Sequence, residues 1–241
     1  ILFSMCQWGE DEVYEWAGDI AQMYRVQMDH LPLWHWPPTA AGEGYGCGTR
    51  DIIEYMADLN PSKWVRQGAW MDPDFLETMY PLCTPGSENR DPFCSTMGFT
   101  ESRTEMAFWT LWSAPLLMAT DPEDLSEEKR SIIANKEVLA IHNDPLWVGG
   151  DRIYNATTGA QAWRKPLADG DVAVILYNSN WSGPDVQVPI TWPQLEVVDW
   201  SATDSVAVRD LWDSADLGEF RGGYSVRVPA RDHVFLRLHK A

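Results

Sequence analysis

The first candidate catalytic residues in this sequence are an arginine and an aspartate four positions apart, Arg25 and Asp29. They lie in the segment 24–29, YRVQMD, which reads as a short strand that ends in a carboxylate. In an extended chain, two residues four apart point to the same face. An arginine beside an aspartate holds that acid in place and biases its ionisation. The alternative is an ion pair at a strand end on the surface, because such pairs are common and usually weak.

Other combinations with catalytic potential are sparse. The five histidines are scattered, and no Ser–His–Asp order stands out. No CxxC pair or Cys/His cluster has the spacing of a zinc site, and the sequence predicts neither a metal nor a cofactor. Four glutamates on predicted helices are interpreted as solvated, namely Glu101, Glu105, Glu127 and Glu128.

The composition excludes several classes of partner. The 241 residues carry a net charge of −18, which argues against nucleic acids and anionic membranes. No apolar run approaches the roughly 18 residues that a membrane span needs. Such acidity suits an enzyme that acts on neutral sugars. The 14 tryptophans hint at carbohydrate, although most of these rings are expected in the core.

The elements that position Arg25 and Asp29 follow a repeating order of strand and helix. Strands are predicted at 1–6, 24–29, 66–72 and 115–119, and helices at 10–23, 51–59, 100–113 and 127–134, with a compact connection over 135–150. This alternation is typical of a parallel sheet. Four such strands make half of an eight-stranded parallel barrel, a fold that keeps its chemistry at the carboxyl ends of its strands.

The hydrophobic period changes to two after residue 150. Strands are predicted at 172–177, 186–190, 205–211, 224–228 and 233–239, separated by turn signals. They indicate an antiparallel β-sandwich. The chain is therefore predicted to contain two domains, 1–150 and 151–241.

Cysteines and glycosylation signals bear on the compartment. Cys83 and Cys94 bracket a loop that contains Pro, Gly and Ser, which makes a loop disulfide plausible in an oxidising environment. Asn155 and Asn180 begin two glycosylation sequons. Together these features favour a protein that is secreted or resides in a lysosome-like compartment.

Several motifs occur in the order and spacing of a known enzyme family. They are CQWG at 6–9, the Arg25/Asp29 pair, WMDPD at 70–74, APLLM at 114–118, and NKEVLAI at 135–141 followed by DPL at 144–146. In this order they resemble the C-terminal half of glycoside hydrolase family 27, the α-galactosidases and α-N-acetylgalactosaminidases. The resemblance covers nearly the whole chain. It implies an α/β plus all-β protein: the second half, strands 5–8, of a (β/α)8 TIM barrel, followed by a C-terminal antiparallel β-sandwich.

The resemblance also implies a retaining mechanism on a galactoside substrate with two aspartates. One attacks the anomeric carbon, and the other protonates the leaving oxygen and then activates water. Asp29 matches the family's acid/base, and Arg25 matches an arginine that contacts the sugar. No position matches the nucleophile. Since residues 1–5 read as a buried strand without a polar lead-in, we expect the chain to begin inside a domain. The expected partner is the N-terminal half of the barrel, as a separate chain or a further segment.

Substrate-binding residues follow from the same resemblance. Asp74 lies where the family has an aspartate bonded to the sugar, and Asp72 in the same motif either joins it or is structural. Phe75 occupies an adjacent apolar wall, and Trp8 is a candidate stacking or wall residue. Gln7 lies in the loop that reads the 2-substituent of the sugar. It favours a 2-hydroxyl and hence galactose, because no small residues open an acetamide pocket.

Alternatives to an α-galactosidase remain open at this point. Met71 stands where the family usually has asparagine, which bears on the pocket geometry. The chain could be a non-catalytic carbohydrate-binding or structural subunit with the same fold, or an inactive fragment. It could also act on other sugars, such as α-N-acetylgalactosamine, β-L-arabinopyranose or an isomalto-oligosaccharide.

Overall fold

The computed structural model describes residues 1–36, 46–80, 95–123 and 125–241 of the chain. Short strands are interspersed with helices up to residue 142. In chain order they are β1 (Ser4–Cys6), α1 (Val13–Trp16), β2 (Met23–Arg25), β3 (Asp29–His30), β4 (Gly46–Cys47), α2 (Thr49–Leu59), β5 (Trp70–Asp72), α3 (Phe99–Leu111), α4 (Glu127–Ile133) and α5 (Lys136–His142).

Three of these strands form a parallel sheet in the order β1-β2-β5. The register places Cys6 beside Arg25, and Arg25 beside Asp72. These three residues are the last ones of their strands. The sheet therefore gathers the carboxyl ends of segments that are far apart in sequence, as parallel α/β folds do.

The predicted fourth strand, 115–119, is reduced to one parallel bridge between Leu76 and Met118. Leu76 N–H donates to the Leu117 carbonyl at 2.7 Å, and Ala119 N–H donates to the Leu76 carbonyl at 3.1 Å. The chain turns at Asp74, whose φ is 89°, directly after β5 has ended. Because that turn leaves only Leu76 in position to pair, the ladder stays short.

The predicted continuous helix at 10–23 is wrong. One α-helical turn, α1, lies between two 3-10 turns at Glu10–Glu12 and Ala17–Asp19. Asp11 and Glu12 have φ values of 52° and 50°. This left-handed backbone cannot continue a right-handed helix. The apolar spacing of this segment thus reflects packing of short turns rather than a helix face.

The predicted strand 24–29 is also interrupted. β2 ends at Arg25, and Asp29 and His30 form a separate two-stranded parallel ladder with Gly46 and Cys47. Arg25 Nη2 donates to the Gln27 carbonyl at 3.3 Å across the bend. Arg25 and Asp29 therefore meet across a bend of the backbone rather than along one extended strand.

The longer helices agree with the sequence. Those predicted at 51–59, 100–113 and 127–134 correspond to α2, α3 and α4 with ends that differ by two residues or fewer. The helix α5 was missed, because its region was interpreted as a connection. Asn135 caps α5, since its side chain accepts hydrogen bonds from the N–H groups of Glu137 and Val138, both at 3.0 Å.

From Asp151 onward the chain is built of antiparallel strands. They are β6 (Asp151–Asn155), β7 (Ala160–Pro166), β8 (Val172–Asn178), β9 (Val186–Thr191), β10 (Ser205–Asp210), β11 (Ala215–Arg221), β12 (Gly223–Val228) and β13 (His233–Lys240). Six of them form one sheet in the order β11-β10-β13-β8-β7-β6, and β9 pairs with β12. The five predicted strands are confirmed. β6, β7 and β11 were missed, because charged and glycine residues obscure their alternation.

The six-stranded sheet has apolar side chains on both faces. On one face a core formed with β9 and β12 contains Leu176, Leu236 and Val188, all buried. On the other face the sheet packs against α3. Phe108 of α3 contacts Trp163 and Tyr177 edge-on, with ring centroids 5.1 and 5.2 Å apart. The predicted domain boundary between residues 150 and 151 stays a prediction, because one hydrophobic core contains residues from both sides of it.

Candidate active site

The centre of the candidate site is the guanidinium group of Arg25. This residue ends β2 and is 9% exposed. Its Nη2 lies 3.1 Å from Asp29 Oδ1 and 2.7 Å from Asp74 Oδ2. One nitrogen thus bridges two carboxylates, one of which follows β2 and the other β5. Arg25 fixes how these two acids lie relative to each other.

Asp29 is held on one oxygen and open to solvent. Its Oδ1 accepts hydrogen bonds from Arg25 Nη2 and from Trp8 Nε1, both at 3.1 Å. Its side chain is 50% exposed. Trp8 reaches it from the residues after β1, where its own φ is 54°. A carboxyl oriented by two donors and still accessible is suited to exchange a proton with a ligand.

Asp74 is held more tightly than Asp29. Its Oδ2 accepts from the His30 N–H at 2.9 Å in addition to Arg25. Its backbone N–H donates to Asp72 Oδ1 at 2.9 Å, and its carbonyl accepts from Trp109 Nε1 at 2.8 Å. These bonds stabilise the left-handed backbone of Asp74, which is unfavourable for most residues.

Asp72 has a backbone-supporting position. It is 3% exposed, and burial raises its pKa to about 6. One of its carboxylate oxygens is occupied by the Asp74 N–H. Of the two options that the sequence left for Asp72, this arrangement favours the structural one.

A buried layer of polar side chains lies beneath these acids. His30 is fully buried, with Nδ1 at 2.8 Å from the Phe75 carbonyl and Nε2 at 2.9 Å from Thr49 Oγ1. Burial lowers its pKa to about 4, so its ring is neutral at physiological pH. Its Nδ1 also lies 3.7 Å from Oε1 of Glu105. His30 therefore connects the backbone beside Asp29 with the helix α3.

Glu105 was interpreted as solvated, and that interpretation is wrong. It is completely buried, and its carboxylate accepts from the Glu77 N–H at 2.7 Å and from Thr78 Oγ1 at 3.3 Å. Burial raises the pKa of Glu105 well above its ordinary value. It also raises the pKa of Glu77 to about 7. The Glu105 carboxylate thus fixes the chain just after Asp74, and no local sequence pattern predicted this role.

The remaining predicted site residues lie beside the Arg25 cluster. Gln7 and Trp8 line a shallow pocket of about 130 Å³ together with Cys6 and Glu10. Gln7 makes no hydrogen bond with Asp29 among the described residues. Phe75 is 47% exposed next to Asp74. The structure thus brings Trp8, Arg25, Asp29, Asp72 and Asp74 into one network and leaves Gln7 and Phe75 at its margin.

The residues tied to the secretory prediction are only partly described. Cys83 and Cys94 lie outside the described residues. Asn155 is exposed at the end of β6. The Asn180 side chain is partly buried and donates from Nδ2 to the Thr158 carbonyl at 2.8 Å. Both sequons stay predictions, with Asn155 the more accessible acceptor.

Two family models match this chain. The model described as Alpha galactosidase A matches residues 50–144, and the model described as Alpha galactosidase C-terminal beta sandwich domain matches residues 157–238. The first match includes Asp72 and Asp74. The second covers most of the antiparallel strands.

Individual relatives give the same result. The chain is 30% identical over 240 residues to alpha-galactosidase 3 of Arabidopsis thaliana, covering 98% of this chain and 47% of that protein. It is 28% identical over 234 residues to an alpha-galactosidase of Oryza sativa subsp. japonica, covering 96% and 47%. The chain thus spans about half the length of these curated relatives.

A solved structure extends the similarity to three dimensions. Alpha-galactosidase I from Mortierella vinacea superposes with a TM-score of 0.85 at 26% identity, covering 100% of this chain and 59% of that chain. The resemblance found in the sequence is therefore confirmed. The chain belongs to glycoside hydrolase family 27, the family of the α-galactosidases, and includes its C-terminal β-sandwich.

Proposed function

We propose that the protein is a retaining glycoside hydrolase that releases terminal α-linked galactose from oligosaccharides or glycoconjugates. The observation that carries the proposal is the bridge by Arg25 between a half-exposed Asp29 and a buried Asp74. In a retaining mechanism, one carboxyl protonates the leaving oxygen and then activates water, while a second carboxylate attacks the sugar. Asp29 takes the first role, because it is accessible and oriented by two donors.

Three other residues of the network, Arg25, Asp74 and Trp8, bind and orient the sugar in this proposal. Arg25 and Asp74 present a cation and a carboxylate that hydrogen-bond sugar hydroxyls, and Trp8 supplies a wall beside Asp29. Gln7 is placed at the 2-position, which favours a 2-hydroxyl and hence galactose over N-acetylgalactosamine. Hydrolysis rates on a panel of nitrophenyl α-galactoside, α-N-acetylgalactosaminide and β-L-arabinopyranoside check this preference.

A partner segment completes the site in this proposal. Among the described residues no strand pairs with the outer edge of β1 in the sheet β1-β2-β5, and Leu2 and Phe3 beside it are 65% and 49% exposed. At the opposite side, Leu117 and Met118 are 39% and 42% exposed. Parallel sheets are normally covered on both faces and paired at their edges. We place the preceding strands of a (β/α)8 barrel, with the nucleophile, against these surfaces.

The compartment follows from the sequons and the predicted loop disulfide. We propose that the protein is secreted or lies in a lysosome-like compartment, where both modifications are possible. Among the described residues, no helix is long and apolar enough to cross a membrane.

The test is the variant Asp29→Asn in the full protein that contains this chain. Asn keeps the size of the side chain and loses the proton that general acid catalysis needs. The kcat/KM should fall about 10²- to 10⁴-fold for an α-galactoside with a poor leaving group, while the circular dichroism spectrum is unchanged. A nitrophenyl galactoside needs less protonation and should suffer a smaller loss.

The matched control is Asp19→Asn. Asp19 also pairs with an arginine, Arg66, at 2.8 Å, but its side chain is 80% exposed and lies away from the site. Its replacement should leave the rate on both substrates within about twofold. Full activity of Asp29→Asn on the substrate with the poor leaving group would refute the assignment of Asp29.

A further inference from the structure

An exposed tryptophan of the β-sandwich is held rigidly at its position. Trp181 lies in the connection between β8 and β9 and is 44% exposed. The guanidinium carbon of Arg231 lies 3.9 Å from the centre of its ring. Arg231 Nε also donates to the Trp181 carbonyl at 2.8 Å. Arg231 thus covers one face of the indole and fixes the backbone that carries it.

Arg231 is itself attached to the helix α3. Its Nη1 lies 3.2 Å from Oε1 of Glu101, and its carbonyl accepts from Thr104 Oγ1 at 2.9 Å. Both partners lie in the first half of α3. In a parallel strand–helix arrangement, the helix N-termini lie at the end of the sheet where the strands have their carboxyl ends. The sandwich therefore places Trp181 at the same end as Asp29.

A second contact connects Trp181 with the segment that carries Asp29. The ring of His35 meets the Trp181 ring edge-on, with centroids 6.3 Å apart and an interplanar angle of 70°. His35 Nδ1 lies 2.5 Å from Oδ1 of Asp51 in the first turn of α2. His35 is six positions after Asp29, which limits the distance between their Cα atoms to about 21 Å. That distance is spanned by a few sugar units.

We propose that the open face of Trp181 is a subsite that stacks on a sugar ring of the oligosaccharide or polysaccharide to which the cleaved galactose is attached. The inference rests on the proposed function. The C–H face of a hexose is apolar and packs on a π-system, while its hydroxyls reach the polar groups at the rim. His35 and Glu101 are such groups, since their side chains are partly exposed. Because Arg231 already orders the ring, the protein loses little side-chain entropy when a sugar stacks on it.

The test compares two substrates in the full protein, produced without glycosylation. One is 4-nitrophenyl α-galactoside, which has a single sugar, and the other is galactomannan, a β-linked hexose polymer with α-galactosyl branches. In Trp181→Ala the ratio of kcat/KM on the polymer to kcat/KM on the nitrophenyl substrate should fall about 5- to 10-fold. Trp181→Phe keeps an aromatic face and should recover most of that ratio. Leu217→Ala, a truncation at a 37% exposed position of β11, should keep the wild-type ratio.

Binding is measured separately, so that the subsite and the proposed function can fail independently. Electrophoresis of each protein through gels that contain galactomannan reports binding without catalysis. Retardation of wild type that is lost in Trp181→Ala supports the subsite, even if no α-galactoside is hydrolysed and the proposed function fails. An unchanged ratio and equal retardation of Trp181→Ala and wild type would overturn it.

Discussion

Replacing Arg25 with methionine should reveal that its two ion pairs contribute very differently to stability. Methionine keeps a long side chain of similar shape but has no charge. Arg25 lies 2.7 Å from Asp74 and 3.1 Å from Asp29, so distance alone does not separate the pairs. Solvent exposure distinguishes the two pairs, because the side chain of Asp74 is 8% exposed and that of Asp29 is 50% exposed.

The expected magnitudes follow from that difference in exposure. Two unit charges about 3 Å apart attract by about 5 kcal/mol at an effective dielectric constant of about 20. Removing one member of a buried pair costs about 3–5 kcal/mol, because the other charge is left unpaired. Asp74 keeps the His30 N–H, so we expect a loss of about 3 kcal/mol in the free energy of unfolding. The exposed pair with Asp29 should contribute less than about 1 kcal/mol.

The assay is a pair of double-mutant cycles. Arg25→Met is combined with Asp74→Asn in one cycle and with Asp29→Asn in the other, and urea unfolding is followed at pH 7. The coupling energy should exceed about 2 kcal/mol for Asp74 and stay below about 1 kcal/mol for Asp29. Equal coupling to both aspartates would refute the reasoning from exposure.

The control for this prediction is a second arginine pair. Arg66 and Asp19 lie 2.8 Å apart, with side chains that are 55% and 80% exposed. Arg66→Met should therefore lower the free energy of unfolding by less than about 1 kcal/mol. If Arg25→Met costs no more than Arg66→Met, the buried bridge does not stabilise the fold.

Two further predictions concern pH. Burial raises the pKa of Glu77 from 4.5 to about 7. The folded state therefore keeps a proton that the unfolded state releases, and the free energy of unfolding should fall by up to about 3 kcal/mol as pH rises from 4.5 to 7. In the variant Glu77→Gln, the free energy of unfolding measured with urea should depend less on pH over this range. An unchanged pH dependence would contradict the prediction. Burial lowers the pKa of Lys165 from 10.5 to about 7. Here the unfolded state binds the extra proton, so stability should rise between pH 7 and 10.5 by up to about 5 kcal/mol. Lys165→Met should remove this increase in the free energy of unfolding. If the increase persists in the variant, other groups cause it.

The contact between Arg25 and Asp29 was predicted from a premise that proved wrong. Their spacing suggested one extended strand, but β2 ends at Arg25 and the chain bends before Asp29. The contact forms because the bend returns Asp29 to the end of β2. Long side chains meet over several backbone geometries, so residue type and proximity in sequence were sufficient. The backbone path between the two residues was not determined by the pattern of side chains.

The helix α3 shows why the buried polar layer was missed. It packs against the six-stranded sheet through Phe108 and against the residues after β5 through Trp109 and Glu105. With neighbours on opposite sides, such a helix has no solvent face that a 3.6-residue period would reveal. A glutamate on it is then indistinguishable in sequence from a solvated one. The hydrogen bonds that it accepts from Glu77 and Thr78 compensate its burial, and they are visible in the structure alone.

The two aspartates that share Arg25 could not have been told apart by residue type, and their surroundings now separate them. Asp74 Oδ2 is occupied by both Arg25 and the His30 N–H, and the residue is 6% exposed. A carboxylate that is fixed and neutralised in this way is a poor nucleophile, because attack on a sugar would break both contacts. Asp29 retains an accessible carboxyl. Of these two aspartates, only Asp29 is open to a sugar, whereas a retaining mechanism needs two carboxyls that act on the substrate. This supports placing the second one in the segment that we propose completes the barrel.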